Sequence, residues 1–138
     1  MSRALIKIMN WYLEVLKKYA DFSGRARRKE FWMFVLFNFI FSVVASIIDY
    51  LIGTTNILGN YGLFNLIYAL AVLIPSIAVS VRRLHDVGKS GVMILLAFLP
   101  IIGWIWLFVL YVTDSQIGTN KWGPNPKAPA EEYIFPEK

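Results

Sequence analysis

Three stretches of the chain, each about 20 residues long, carry almost no charge and could each cross a lipid bilayer as a helix. They cover residues 31–51, 62–81 and 92–112, and Asp49 is the one charged side chain among them. At a rise of about 1.5 Å per residue, each stretch matches the ~30 Å hydrocarbon core of a membrane. A soluble domain of 138 residues has too little polar surface to cover three such helices. The sequence therefore predicts an all-α membrane protein with three transmembrane helices.

The composition leaves little room for anything besides this membrane domain. Charged residues make up 17% of the chain and hydrophobic residues 57%, whereas soluble domains typically contain about 25% charged residues. We therefore expect one domain over residues 1–127, followed by a disordered tail over residues 128–138. The chain has no cysteine and a single histidine, which excludes disulfides, thiolate nucleophiles and the usual zinc sets. We predict no metal, no cofactor and no catalytic residue.

Positive charge is concentrated in two segments, and this asymmetry predicts the orientation in the membrane. Residues 1–30 carry eight basic and three acidic side chains, residues 82–91 carry three basic and one acidic, and residues 52–61 carry none. Basic segments stay on the cytoplasmic side of a membrane. The N-terminus and the 82–91 loop are therefore predicted to be cytoplasmic. Because membrane topology already explains the basic charge, we expect no nucleic-acid partner.

Residues 4–19 show the periodicity of an amphipathic helix. Apolar side chains recur at steps of three and four residues, whereas lysines and Glu14 fill the opposite face. The apolar positions are Leu5, Ile8, Met9, Tyr12, Leu13 and Leu16. Such a helix can lie in the membrane interface or pack on the rest of the protein, and the favoured prediction is an interfacial helix.

Two prolines interrupt the predicted spans. Pro75 removes one helical hydrogen bond from the second span, which leaves the carbonyl of Ala71 for another donor. Pro100 and Gly103 lie at the centre of the third span, which could be one kinked crossing or a re-entrant hairpin. Each arm of a hairpin would hold about nine residues, too few to cross a bilayer. The favoured prediction is one kinked crossing, which places the C-terminus on the outer, periplasmic side.

Three polar side chains fall within the predicted spans. Asn38 and Asn65 are typical of the hydrogen-bonding devices that hold membrane helices together. Asp49 lies about one turn from the outer end of the first span, where we expect it to be exposed to water. The alternative is a proton or cation site, because intramembrane carboxylates serve that purpose.

Three stretches of the chain carry distinctive motifs. They cover residues 22–32, 74–91 and 114–126 and read FSGRARRKEFW, IPSIAVSVRRLHDVGKSG and DSQIGTNKWGPNP. In this order they resemble the signature stretches of the DUF805 family. The resemblance extends over roughly residues 10–127. It implies a multi-pass protein of the bacterial inner membrane, and it implies no particular reaction, because the family is named for unknown function.

The most chemically distinctive segment is the loop after the second span. Its guanidinium, imidazole and ammonium groups could hold the phosphate of an anionic lipid headgroup. The loop candidates are Arg82, Arg83, His85, Asp86 and Lys89, with Arg25, Arg28 and Glu30 from the first basic segment. The favoured interpretation is plain topological anchoring, with Asp86 paired to Arg82 or Lys89 and Glu30 paired to Arg82 or Arg83, and binding of a headgroup is the alternative.

These observations favour a non-enzymatic protein that acts through helix packing and through contacts with lipid or with a protein partner. Anionic phospholipids, a second copy of the chain or another membrane protein are the expected partners. A small transporter or channel subunit is the alternative. A lipid-modifying enzyme that uses His85 is the less favoured third class, because adjacent residues on a helix point about 100° apart and Asp86 cannot simply orient the imidazole.

Overall fold

A computed structural model describes residues 2–127 of the chain, so the predicted disorder of residues 128–138 lies outside the described residues. The elements are all helical. They are α1 (Arg3–Lys17), α2 (Arg28–Ile52), α3 (Leu63–Asp86), a 3-10 helix (Gly91–Phe98) and α4 (Ile102–Val112).

The two long helices, α2 and α3, correspond to the first two predicted spans. Both are long and apolar enough to cross a membrane, with mean hydropathies of 2.3 and 2.1 over their most apolar 18 residues. Only 11% and 17% of those residues are buried inside the protein. A core helix of a soluble protein would instead be mostly buried, so the apolar surface of this pair suits contact with lipid.

Helix α1 packs along α2 through aromatic side chains. Tyr12 is buried and stacks on Phe34 with ring centroids 5.4 Å apart, and Val15 is fully buried beside it. Leu5 and Leu13 remain exposed at about half of their surface. The helix is therefore held by the bundle on one side, and its position relative to the membrane interface stays a prediction.

The carbonyl freed by Pro75 has the partner that the sequence required. The Tyr19 hydroxyl, just beyond the end of α1, donates a hydrogen bond of 2.6 Å to the carbonyl oxygen of Ala71. The prediction of an outside donor at this carbonyl is confirmed. This bond also fastens the end of α1 to the middle of α3.

The prediction of one kinked crossing over residues 92–112 is wrong. The 3-10 helix ends before Pro100, the chain turns through Ile101 at φ +68°, and α4 runs back alongside. The Trp104 indole donates to the carbonyl of Ala97 at 2.8 Å, and the Gly103 amide donates to Leu99 at 3.1 Å. Proline has no N–H and disfavours helix in the residue before it, so the first arm stops there. The two arms form a hairpin. The length argument against a hairpin does not apply, because neither arm has to span the bilayer.

The hairpin depends on a glycine where its arms meet. A Cβ on Gly103 would overlap the carbonyl of Leu96 and press on the Leu99 side chain. We expect Gly103→Ala to destabilise the protein by roughly 1–3 kcal/mol, because the packed backbone of the first arm would have to move. Thermal unfolding in detergent measures this, with the exposed Ile102→Ala as the control. Equal melting temperatures for both variants would contradict the close approach of the arms.

Candidate functional site at the end of α3

The three signature stretches meet at one place, the C-terminal end of α3, and we call this contact the junction. The Ala26 amide donates to the carbonyl of Arg82 at 2.9 Å, and the Gln116 amide donates to the carbonyl of Asp86 at 2.8 Å. The segment after α4 therefore lies beside the 82–91 loop and the start of α2. The prediction that this segment lies on the opposite side of the protein from the loop is wrong, because the hairpin returns the chain to the side from which it left.

Asp86 is the centre of the junction and is completely buried. Its carboxylate accepts hydrogen bonds from Arg25 Nε at 3.0 Å, from Ser115 Oγ at 2.6 Å and from Arg83 Nη1. One carboxylate thus joins the segment before α2, the end of α3 and the segment after α4. The predicted pairing of Asp86 with Arg82 or Lys89 is wrong, and two other arginines occupy the carboxylate.

The remaining donors of Arg25 and Arg83 bind backbone carbonyls. Arg25 donates to Gly118 at 2.8 Å and to Gln116 at 2.5 Å, both in the segment after α4. Arg83 donates to the carbonyl of Tyr111 at 3.2 Å and to that of Thr113. A cation at the C-terminal end of a helix stabilises its free carbonyls, so Arg83 also caps α4.

Arg82 points away from Asp86 and pairs with Glu30 at 2.7 Å. Both side chains are buried, with 1% and 8% exposure, so this is an ion pair inside the helix bundle. The predicted partnership of Glu30 with an arginine of the loop is present. Among the described residues, Nε and Nη2 of Arg82 have no hydrogen-bond partner.

His85 is held in place by residues that the sequence analysis did not single out. Its Nδ1 lies 3.0 Å from the carbonyl of Gly24, its ring stacks on Trp122 at 4.5 Å, and its carbonyl accepts from Asn120 at 2.9 Å. The signal was available, because Trp122 and Asn120 belong to the third signature stretch. No periodicity relates that stretch to His85, so only the folded chain shows the contact.

The two remaining cations of the candidate set are both exposed. Arg28 donates to the carbonyl of Val112 at 3.1 Å, whereas the Lys89 ammonium has no hydrogen bond or ion pair with protein among residues 2–127. Nearby, the hydrogen bond from Lys127 lowers the pKa of the Asp114 carboxyl below its ordinary value. Headgroup binding at this face stays a prediction, and exposed lysines rather than the buried arginines are available for it.

Asp49 is buried, with 1% exposure, so the prediction of a water-exposed carboxylate is wrong. Its oxygens accept from the backbone amides of Phe64 and Asn65 at 2.9 and 3.0 Å and from the Thr54 hydroxyl at 2.7 Å. The first amides of a helix lack intrahelical partners and favour a negative charge. Asp49 of α2 therefore caps the start of α3 across the connecting loop.

The capping contact predicts that substitutions of Asp49 and of Gly62 lower the stability of the protein. Asp49→Ala should lower the melting temperature, because two amides at the start of α3 would lose their acceptor. Gly62→Ala should do the same, since a Cβ there would collide with the Asp49 carboxylate. The control is Ile57→Ala, a substitution in the same loop at a side chain that is 50% exposed. A melting temperature of Asp49→Ala equal to wild type would contradict the capping role.

The asparagines Asn38 and Asn65 join the long apolar helices, as expected of packing devices. The amide of Asn65 lies within 3.1 Å of Ser42 Oγ and 2.7 Å of Ser46 Oγ, which ties α3 to α2. Asn38 accepts from the Tyr68 hydroxyl at 2.6 Å, and Tyr68 in turn contacts the Tyr12 hydroxyl at 3.3 Å. This second chain of hydrogen bonds joins all three of α1, α2 and α3.

Within residues 2–127 no group of three or more His, Asp or Glu side chains is arranged to hold a metal ion. The acidic side chains of the junction instead face arginines. The chemistry of the site is therefore that of paired charges and backbone carbonyls.

Comparison with known proteins identifies the family of the chain. Residues 19–124 match the family described as Protein of unknown function (DUF805). The chain is 44% identical over 119 residues to Inner membrane protein YhaI of Escherichia coli K12, covering 86% of this chain and 97% of the relative. It is equally similar to Inner membrane protein YhaH of the same strain, with 86% and 98% covered. No solved structure matches. The chain is a membrane protein and belongs to the DUF805 family.

Proposed function

We propose that this chain is a non-enzymatic, multi-pass protein of the inner membrane that acts through contacts with lipid and with membrane-protein partners. In this proposal α2 and α3 cross the bilayer, and the hairpin of residues 91–112 enters it and leaves on the same side. The junction is then a structural clasp at the cytoplasmic surface, which holds the hairpin against the two spans.

The observation that carries this proposal is that the charged groups of the junction are buried and paired with one another. Arg25, Arg83 and Asp86 direct their donors and acceptors at one another and at backbone carbonyls. Their side chains are at most 1% exposed. Groups that must bind or transform a substrate have to reach it, whereas buried and mutually paired charges fix the relative positions of the elements that bear them.

The charge distribution supports the orientation. The segment before α2, the end of α3 and the segment after α4 all meet at the junction. Residues 25–29, 82–89 and 121–127 contain nine of the 14 basic side chains of the chain. The opposite connection, residues 53–62, is uncharged. The positive side of a membrane protein faces the cytoplasm, so both the start and the end of the described chain belong there.

The test is purification from the native membrane without detergent, in polymer-bounded discs, followed by mass spectrometry of lipids and proteins. We expect enrichment of anionic phospholipid or of a membrane-protein partner. A variant with Lys29→Gln and Lys89→Gln removes exposed cations and should lose the lipid enrichment, whereas Lys7→Gln with Lys138→Gln removes the same charge elsewhere and should keep more of it. Neither enrichment, or turnover of a labelled lipid pool that is lost in His85→Ala, would contradict the proposal.

A further inference from the structure

Asn38 places a primary amide deep in the apolar part of α2. It lies ten residues after Arg28, or about 15 Å along the helix, and all residues from Phe31 to Ile48 are uncharged. If α2 crosses the bilayer, this amide sits near the middle of the hydrocarbon. The inference below therefore rests on the crossing of α2 that is part of the proposed function.

The amide is only partly satisfied inside one chain. Its Oδ1 accepts from the Tyr68 hydroxyl at 2.6 Å, while its Nδ2 has no hydrogen-bond partner among residues 2–127. Asn38 also lines an open groove of about 410 Å³ between α2 and α3, together with Ser42, Asn65 and Ala69. Asn38 therefore places two N–H donors without hydrogen-bond partners at the wall of an open groove.

A lipid chain in this groove would leave those donors unsatisfied, because hydrocarbon offers no acceptor. An amide without a hydrogen bond in an apolar medium is costly. The groove therefore fits an occupant that brings a hydrogen-bond acceptor to the depth of Asn38. The occupant must also carry small side chains, so that it can approach Ser42 and Ala69 closely.

We propose that the occupant is a second copy of this chain, paired through Asn38. Two copies in one membrane share the same orientation, so a two-fold axis along the membrane normal brings identical residues to the same depth. An amide oxygen has two lone pairs, and Tyr68 uses one of them. Each Asn38 can then donate an Nδ2–H to the free lone pair of the other, and the site is complementary to itself without further polar groups.

Cross-linking tests the geometry in an otherwise unaltered chain. The protein has no cysteine, so single cysteines report without background. Ser42→Cys lies one turn from Asn38 on the groove and should form a disulfide-linked dimer in membranes. Ile40→Cys is at similar depth but about 200° around the helix from position 42, and should remain monomeric. Equal cross-linking at both positions, or none at position 42, would overturn the proposed interface.

Energy transfer between copies tests the role of the amide. With dyes on Lys89→Cys in liposomes, we expect Asn38→Leu to weaken association roughly tenfold. Ser76→Ala, which removes a hydroxyl bonded to its own helix at Val72, should associate like the parent. Tyr68→Phe should also associate, because it frees the second lone pair of Asn38. Unchanged association in Asn38→Leu, or a monomeric parent at every protein-to-lipid ratio, would overturn the inference. A monomeric parent whose C-terminus is cytoplasmic would overturn only the pairing and leave the proposed crossing of α2 intact.

Discussion

Green fluorescent protein fused to the C-terminus is expected to fluoresce in a bacterial host, and alkaline phosphatase fused at the same place is expected to be inactive. The reason is the hairpin, which returns the segment after α4 to the side of the 82–91 loop, where Arg25 and Asp86 hold it. A single crossing by residues 92–112 would give the reverse result. The hairpin and the single crossing therefore predict opposite results for both the fluorescence and the phosphatase activity.

An internal fusion supplies the matched control. Alkaline phosphatase inserted in the uncharged loop near Asn56 should be active, since this loop joins the opposite ends of α2 and α3. The Asn56 insertion active together with a fluorescent C-terminal fusion would establish two crossings. A dark C-terminal fluorescent protein with an active C-terminal phosphatase would contradict the hairpin topology.

Asp86→Asn is expected to be the most destabilising substitution of the junction. It would leave the guanidiniums of Arg25 and Arg83 buried without a counter-charge, a situation that typically costs about 3–5 kcal/mol. Unfolding of the purified protein in detergent measures the loss. The control is Asp114→Asn, which removes the same charge from a carboxylate that is 61% exposed and pairs with Lys127 at the surface. Surface pairs contribute little, so we expect a change below about 1 kcal/mol.

A double-mutant cycle distinguishes the loss of the ion pair in the junction from a general loss of stability. Arg25→Gln and Asp86→Asn should each destabilise the protein, and the double variant should lose less than the sum, because both remove the same contact. Arg82→Gln acts on the separate pair with Glu30. Its loss should add more nearly to that of Asp86→Asn. Strict additivity of Arg25→Gln with Asp86→Asn would contradict a shared ion pair at the centre of the junction.

The local sequence pattern was sufficient to predict the two long helices and the free carbonyl that Pro75 leaves at Ala71. An uncharged stretch of about 20 residues must satisfy its own backbone hydrogen bonds in lipid, so length and composition alone predict α2 and α3. The same holds for the carbonyl of Ala71, since a proline four residues later always removes its donor. The identity of the new donor, Tyr19, depends on where α1 packs.

The hairpin was not predictable by the same reasoning. Length arguments treat each apolar stretch as a rod that must cross, whereas Pro100 and Gly103 permit two arms that pack on each other. The close contact of Gly103 with Leu96 and the indole bond of Trp104 to Ala97 stabilise the turn. These contacts exist only when the second arm has folded back, and hydropathy does not record them.

The sequence by itself determined that this is a helical membrane protein with two long apolar helices, an uneven distribution of basic charge and a partner for Glu30 in Arg82 or Arg83. Its prediction of a third crossing was wrong. Tertiary structure alone decided the partners of Asp86 and Asp49. Asp86 pairs with Arg25, 61 residues away, and Asp49 caps a helix that begins 14 residues later. The physical reason is that a buried charge takes the partner that the fold brings within hydrogen-bonding distance, and in this chain a hairpin of uncharged residues brings the third signature stretch to the other two.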